Sequence, residues 1–190
     1  MSRSYRIAVR ESVHRVLRAE DRVHTRLEIL EVLPPEQMAG LLAGELKRRG
    51  FTPQGAVLVR KDDDGVTVTV DPQTGTVTVT AEAAEKVKVE TEKEGRAYDD
   101  AGPSAKQTRE ALRKEARKDL EKKAEAKTAD LQSKVTDQLE GKLCDLRQEL
   151  DQAANRVTAE ALKVKAAQLG QIKELTEDPQ TGSLTIVVEV

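Results

Sequence analysis

Side chains that commonly carry out chemistry are scarce in this chain of 190 residues, which contains two histidines and one cysteine. His14 and His24 lie among arginines in segments predicted to be strands, which is typical of surface histidines. Cys144 lies in a predicted helix, and neither histidine is near it in the sequence. A catalytic nucleophile needs a neighbouring base, and a zinc site needs several ligands at short spacing. The sequence therefore predicts a protein that is not an enzyme, with no catalytic, cofactor-binding or metal-binding residues.

The acidic run Asp62-Asp63-Asp64-Gly65 is a candidate calcium loop. An EF-hand loop has ligands at alternate positions and a bidentate glutamate at the twelfth position, where this chain has Gln73. Asp-Gly between two alternating apolar runs is instead typical of a β-hairpin turn. The phosphate-binding patterns GxGxxG and GxxxxGK[ST] do not occur in the sequence. We therefore interpret the run as a turn.

A basic stretch over residues 106–127 is a candidate nucleic-acid surface. It carries nine Lys and Arg residues against five acidic ones, and binding to phosphates would need such a helix face. The acids are interleaved, and Glu110 with Lys114 and Asp119 with Lys123 have the i, i+4 spacing of ordinary surface ion pairs. A solvated helix face is the favoured interpretation, which makes nucleic acid an unlikely partner.

The composition indicates a thin aliphatic core. Tyr5, Phe51 and Tyr98 are the only aromatic residues in the sequence, although each buried aromatic removes about 150–250 Å² from water. Charged residues make up 35% of the chain and hydrophobic residues 37%, a balance that is typical of long solvated helices. Few side chains are left to line a ligand pocket. The net charge of −2 gives no bulk attraction to polyanions.

The sequence predicts a cytoplasmic protein. It contains no run of 18 apolar residues that could cross a membrane, and Arg3, Arg6 and Arg10 interrupt the start where a signal peptide would be apolar. The single Cys144 cannot form an internal disulfide, which fits a reducing compartment.

The elements that position these residues begin with an α+β head over residues 1–100. Alternating apolar residues from Tyr5 to Leu17 predict a strand, and Glu11 interrupts them, which indicates a bulge or an edge position. Thr25–Val32 is a second candidate strand. Pro34 and Pro35 then predict the start of a helix over about 35–49, which ends before Gly50.

A β-meander is predicted over residues 56–92. Its strands lie at 56–61, 66–71 and 76–82, with turns at Asp-Gly and at Asp71-Pro72-Gln73-Thr74-Gly75. The alternating valines and threonines suit a sheet that is buried on one face. The charged segment 86–92 is interpreted as an edge strand, since lysines and glutamates discourage pairing between sheets.

Residues 104–176 are predicted to form a long helical arm, because they lack proline and are rich in Ala, Leu, Lys, Glu and Gln. The apolar residues of the second half recur in a/d steps, a coiled-coil seam made of Leu139, Leu143, Leu146, Leu150, Ala153, Val157 and Val164. Two antiparallel arms, 104–138 and 144–175, with a reversal near Gly141 would bury both apolar stripes. An uninterrupted helix that dimerises through its seam is the alternative.

The sequence DPQTG occurs twice, at 71–75 and at 178–182, and each copy precedes an alternating apolar segment. Proline and glycine are common in turns, so convergence is one explanation. The other is that a C-terminal strand, 183–190, returns to complete the head sheet. The expected fold is therefore α+β: a small, mostly antiparallel sheet with one short helix and a helical coiled-coil hairpin.

Three segments resemble a known family: Tyr5–Asp21 (YRIAVRESVHRVLRAED), Leu33–Phe51 (LPPEQMAGLLAGELKRRGF) and Val66–Glu82 (VTVTVDPQTGTVTVTAE). They are similar to the FtsH ternary system domains, bacterial accessory domains whose genes neighbour AAA+ ATPases. The resemblance implies a role in an NTP-dependent, multi-component conflict system. It brings no catalytic motif to this chain.

Together these features favour a non-catalytic adaptor or assembly subunit that presents a sheet edge and a helical tip to a protein partner, such as an AAA+ ATPase. One alternative is a self-assembling coiled-coil scaffold or prefoldin-like holder, a homo-oligomer formed through the arm. The other is nucleic-acid binding through the basic helix 106–127.

Overall fold

The computed structural model describes residues 4–98, 102–177 and 183–189. In chain order the elements are β1 (Tyr5–Arg26), α1 (Pro35–Arg48), β2 (Thr52–Gln54), β3 (Val57–Lys61), β4 (Val66–Val70), β5 (Thr76–Ala97), α2 (Pro103–Leu169), β6 (Gln171–Glu177) and β7 (Leu184–Glu189). The predicted α+β class is confirmed.

Five strands form an antiparallel sheet in the order β1-β5-β4-β3-β2, which places β1 at one edge. In the meander, Leu58 pairs with Val70 and Val66 pairs with Ala81. The valines of alternate positions are almost fully buried, namely Val66, Val68, Val70, Val77 and Val79. The meander is therefore buried on one face, as predicted, and β2 is an additional short strand.

The short helix α1 is where the sequence predicts it. Pro35 occupies the first turn, where a missing N–H leaves no hydrogen bond unmade. At the other end Gly50 has φ of 86°, and its N–H donates to the carbonyl of Lys47 at 3.1 Å. The N–H of Phe51 donates to the carbonyl of Leu46 at 3.1 Å, which completes a Schellman-type end.

Local side-chain chemistry fixes the turn before β5. The carboxylate of Asp71 accepts hydrogen bonds from the N–H of Gln73 at 2.9 Å and from the hydroxyl of Thr74 at 2.9 Å. Both hydrogen bonds lower the pKa of Asp71, and the bond from the Gln73 N–H has the larger effect. Gly75 closes the turn at φ of 70°, a conformation that residues with a Cβ rarely adopt.

Two strand predictions are wrong. Thr25–Val32 is not a strand of its own, because β1 continues without a break to Arg26 and residues 27–32 lie outside regular structure. The segment 86–92 is not a separate edge strand, because β5 continues through it to Ala97. β1 and β5 pair with each other, so each supplies backbone partners that let the other continue through charged residues.

The predicted reversal near Gly141 is also wrong, since α2 is one continuous helix from Pro103 to Leu169. A glycine inside a helix costs only about 1 kcal/mol relative to alanine. The apolar stripe continues on both sides of Gly141, with Leu139 and Leu146 both buried. In the part of the chain that the structure describes, no second helical arm covers this stripe, and a single helix replaces the predicted coiled-coil hairpin.

The buried stripe of α2 follows a different period from the predicted seam. Buried pairs eleven residues apart are Leu120 and Leu131, Ala124 and Val135, Leu139 and Leu150, and Leu146 and Val157. Val164 of the predicted seam is 37% exposed, whereas Ala161, outside that seam, is fully buried. An eleven-residue repeat keeps apolar residues on one helix face.

The C-terminal strand does not join the head sheet as predicted. β7 pairs antiparallel with β6, matching Ile172 with Val188 and Leu175 with Ile186, in a separate two-stranded sheet. β6 occupies residues that were predicted to be helical, because α2 ends at Leu169 beside Gly170. The second copy of DPQTG, 178–182, lies outside the described residues.

The chain divides into two compact units. Unit 1 comprises residues 1–21 and 82–137, and unit 2 comprises residues 22–81 and 138–190. Neither helix in the described part of the chain is long and apolar enough to cross a membrane.

Candidate protein-binding edge

Unit 1 is a strand pair with a helix on one face. Residues 5–21 of β1 pair with residues 82–97 of β5, and residues 103–137 of α2 pack on them. A buried apolar cluster joins the three segments, made of Ile7, Val9, Ala97, Ala105 and Leu112. A Cβ at Gly95 would lie 3.2 Å from Leu112 Cδ1 and 3.2 Å from Thr108 Cγ2. The helix therefore approaches β5 closely where β5 has no side chain.

Cross-strand ion pairs cover the opposite, exposed face of these strands. Arg6 binds Glu94 through two guanidinium nitrogens, and Arg10 Nη2 donates to Glu92 Oε2 at 2.9 Å. The hydrogen bond from each arginine to its glutamate raises the pKa of that guanidinium. Because both pairs are exposed, they fix side-chain positions more than they stabilise the fold.

Polar contacts also hold the helix over β5. Lys93 forms an ion pair with Asp119, and this contact lowers the pKa of Asp119. Lys123 Nζ donates to the backbone carbonyl of Glu90 at 3.0 Å. Asp119 and Lys123, which both belong to the segment 106–127, thus make contacts within unit 1.

Two of the polar contacts between the helix and β1 lie on either side of the middle of the strand. At one, Arg113 Nε lies 3.9 Å from Glu11 Oε1. At the other, Gln132 Nε2 donates to the backbone carbonyl of Glu20 at 3.1 Å. Gln132 thereby satisfies one backbone acceptor of the strand.

Between these two points lies an open groove that we call the β1 groove. Its first part measures about 310 Å³ and is lined by Val13, Arg15, Val89, Arg117, Leu120, Glu121 and Ala124. Its second part measures about 400 Å³, shares Arg15 and Ala124, and continues to Gln132. Val13 is half-buried and Arg15 is exposed, although both have the parity of the buried residues Val9 and Leu17.

An edge strand beside a groove has a definite binding capacity. Alternate residues of an edge strand direct their N–H and C=O groups away from the sheet, where another strand can pair with them. The β1 groove adds an apolar floor next to that edge. Such a combination of backbone groups and side-chain pockets is the recognition surface used in strand addition.

A second polar cluster, in unit 2, has a structural role. Arg60 donates to both carboxylate oxygens of Glu149 at 2.7 and 3.0 Å, and its guanidinium lies 4.8 Å from the ring centre of Phe51. The hydrogen bond to Glu149 raises the pKa of Arg60. A bidentate pair of this kind fixes the helical residues near Glu149 to β3.

Glu45 extends this arginine cluster. It is only 4% exposed on α1 and accepts hydrogen bonds from Arg49 Nε at 2.9 Å and Arg48 Nη1 at 3.1 Å. Arg49 also donates to the carbonyl of Glu149 at 3.2 Å. The sequence pattern did not predict this cluster. The available signal was an acid, Glu45, on the same helix face as the buried Leu42.

The two histidines, Cys144 and Asp64 all lie at the surface. His14 is exposed, and His24 Nδ1 lies 2.9 Å from Thr78 Oγ1. Cys144 is exposed. Asp64 lies in a hairpin turn, as the sequence predicts, and its Oδ2 forms an ion pair with Lys142 Nζ at 2.6 Å. Among residues 4–98, 102–177 and 183–189, no three His, Cys, Asp or Glu side chains cluster in a way that could hold a metal ion.

A small cavity in unit 2 lies between α1 and the turn 72–75. It measures about 80 Å³, and Arg26, Met38, Leu42 and Thr74 contribute to its lining. Ligand pockets commonly measure about 300–1,000 Å³, so this cavity is too small for a metabolite.

The basic stretch 106–127 is only partly open. Lys114, Arg117 and Lys118 line a shallow surface of about 370 Å³, where Glu110 and Glu121 lie among them. Arg113 lines the same surface and also contacts β1, whereas Lys123 contacts β5. The structure thus gives this helix face mixed charges.

Comparison with curated proteins and with solved structures gives no match to this chain. The resemblance of its strand and helix segments to FtsH ternary system domains is confirmed over the whole sequence. The family model for FtsH ternary system domain X5 matches residues 1–190, and the chain therefore belongs to that family.

Proposed function

We propose that this protein is a non-catalytic adaptor or assembly subunit that binds a protein partner, an AAA+ ATPase of the FtsH ternary system. The observation that carries the proposal is the open edge of β1 beside the β1 groove in unit 1. Exposed strand edges are sites where another chain adds a strand.

Family membership supports the class of partner, because the family name places this domain in an FtsH ternary system. The non-catalytic part of the proposal rests on the scarcity of histidine, cysteine and aromatic residues in the sequence. An adaptor needs a binding surface and a stable scaffold, and neither of these requires catalytic side chains.

The two alternatives have less support. A scaffold that self-assembles through the apolar stripe of α2 would need that stripe exposed, whereas Leu139, Leu150 and Val157 are at most 3% exposed within one chain. Nucleic-acid binding through residues 106–127 would need a uniformly basic face, and acidic side chains share that face.

Co-expression tests the proposal. The tagged chain is produced together with an AAA+ ATPase of the FtsH ternary system, and the mixture is separated by size-exclusion chromatography. We expect the two proteins to elute together, and the chain alone to leave ATP unhydrolysed. Separate elution at micromolar concentrations, or ATP hydrolysis by the purified chain, would contradict the proposal.

A charge variant makes the test specific to the edge. Arg15→Glu reverses a charge in the β1 groove, and Arg96→Glu makes the same change at an exposed position of β5 outside the groove. We expect Arg15→Glu to reduce co-elution and Arg96→Glu to leave it unchanged.

A further inference from the structure

The β6–β7 hairpin repeats the β4–β5 hairpin. In each hairpin a DPQTG sequence lies in the connection between the two strands. The residue pair that borders the first connection is Val70 with Val77, and the corresponding pair at the second is Glu177 with Leu184. Each pair encloses six residues, so the two hairpins have the same register relative to DPQTG.

The two hairpins differ in the strands that lie beside them. In the first, β4 also pairs with β3, and β5 also pairs with β1. In the second, β6 and β7 pair only with each other in the described part of the chain. A two-stranded sheet is only marginally stable in water by itself. Both edges of the second hairpin thus lack a strand that the first one has.

Charge distinguishes these two free edges. β6 carries Lys173, Glu174 and Glu177, and charged side chains discourage further pairing along an edge strand. β7 (LTIVVE) has a single charged residue, Glu189, at its end. Four of its other five residues are β-branched, a composition that favours strands. β7 is therefore the edge that is unprotected against pairing.

A second copy of β7 matches this edge in every register. When two β7 strands pair antiparallel over at least four residues, Glu189 lies opposite one of residues 182–186, all of which are uncharged. No such register places like charges opposite each other, which would destabilise the pair. When residues of equal parity are opposite, the half-buried Leu184, Ile186 and Val188 of both copies form one continuous apolar face.

The other free edges of the chain match β7 less well. β1 carries arginines and histidines along its length, and β2 contains Pro53, which cannot donate to a neighbouring strand. Charged side chains of a strand such as β1 would lie beside the half-buried apolar residues of β7, where they would lose hydration. Among the strands that the structure describes, β7 is thus the best partner for its own copy.

The length of β7 sets the strength of the association. Its six residues span about 20 Å at about 3.3 Å per residue. Stable protein interfaces bury about 1,200–2,000 Å², more than one edge of this length provides. We therefore expect the chain to be monomeric at micromolar concentrations and to associate only well above them.

We propose that β7 pairs antiparallel with β7 of a second copy of this chain, which joins the two hairpins into a four-stranded sheet of order β6-β7-β7-β6. The same edge is used on both copies, so the assembly closes at a dimer with two-fold symmetry. This self-association is separate from the proposed adaptor function and does not involve the β1 edge.

Sedimentation equilibrium of the full chain from micromolar to millimolar concentrations tests the proposal. We expect the average mass to rise from that of the monomer toward that of a dimer. Val187→Lys, at a residue that is 43% exposed, brings two lysines together near the two-fold axis and should raise the dissociation constant at least tenfold. The matched control Leu175→Lys makes the same change on β6 at a residue of equal exposure, and should change the constant less than twofold.

Hydrogen exchange on the unmodified chain gives an answer even if a variant fails to fold. Backbone amides that pair with a second copy become protected as the protein concentration rises. We expect this concentration-dependent protection in β7 and none in β6. Equal protection of both strands would overturn pairing through the edge of β7.

Further outcomes would overturn the proposal. A monomer up to millimolar concentrations, or a dimer that Val187→Lys leaves intact, would do so. Equal weakening by Leu175→Lys would indicate association through the apolar face and not through the strand edge. If the chain stays monomeric and Val187→Lys abolishes co-elution with the AAA+ ATPase, the edge binds that partner and not a second copy. Failure of co-elution in the unmodified chain, with dimerisation intact, contradicts the adaptor function alone.

Discussion

Arg60 and Asp71 each make several contacts that hold neighbouring segments of the chain in place. Arg60 binds Glu149, Asp62 and the face of Phe51 at once, and Asp71 binds the backbone of its own turn. Arginine stays protonated at all physiological pH values. Arg60 therefore supplies a permanent positive charge and a fixed hydrogen-bonding geometry to its cluster.

Glu149→Gln should lower the free energy of unfolding by about 1.5–3 kcal/mol, the range for hydrogen bonds between charged groups. The substitution removes the carboxylate that Arg60 binds through two nitrogens and leaves this side chain, which is 19% exposed, with Asp62 as the remaining carboxylate partner. Urea unfolding followed by circular dichroism measures the change. The control Glu140→Gln alters an exposed carboxylate of the same helix, and an equal loss in both variants would refute the role of the pair.

Asp71→Ala should destabilise the protein by about 0.5–1.5 kcal/mol at neutral pH, because the Gln73 N–H loses its acceptor. The pKa of Asp71 is lowered in the folded state. Its contribution is therefore complete above the unfolded pKa of about 3.9 and is lost as the pH falls through the folded pKa. The difference between wild type and variant should shrink in acid. The exposed Asp63→Ala is the control, and a difference independent of pH would contradict this account.

At the scale of elements, the sequence predicts features that local chemistry determines. Pro35 and Gly50 mark the limits of α1, and Asp-Gly and DPQTG mark the meander turns. The full length of β1 and β5 was missed because it depends on a partner some 50 to 90 residues away in the chain. The β1 groove was missed for the same reason: Arg15 breaks the apolar alternation in the sequence, and only the position of α2 shows what lies beside it.

Gly141→Ala tests the continuity of α2. In an uninterrupted helix with no atom within 4 Å of the added Cβ, alanine should stabilise the protein by about 0.5–1 kcal/mol. Gly55→Ala is the contrasting variant, since φ of 64° there disfavours a side chain. Thermal unfolding of both variants distinguishes the effects. A loss of stability in Gly141→Ala would indicate a turn at that position.

Gly95→Val should destabilise unit 1 by about 1–3 kcal/mol through overpacking. The added side chain would meet Leu112 and Thr108, whose nearest atoms lie 3.2 Å from the Cβ position. In a double-mutant cycle, Leu112→Ala should relieve part of that loss. Strict additivity would show that the helix and β5 are not in contact there.

At the scale of the whole molecule, the apolar residues of α2 are used within one chain. Leu139, Val135 and Val157 are each 1% exposed, so the stripe offers no seam to a second helix. The arrangement favours an adaptor over a self-assembling scaffold.

Light scattering should therefore give a monomer of 20.9 kDa at micromolar concentrations. The mass should not change with salt, since burial of the stripe does not depend on ion pairs. A stable dimer that dissociates on substitution of Leu139 would contradict this arrangement and restore the scaffold hypothesis.

Hydrogen exchange on the complex with the AAA+ ATPase shows whether the partner binds at the edge of β1, because it reports which backbone amides become protected. We predict slower exchange in β1 residues 12–19 on binding, with little change in the meander strands β3 and β4. Protection confined to the exposed face of α2, with β1 unchanged, would contradict binding through the sheet edge.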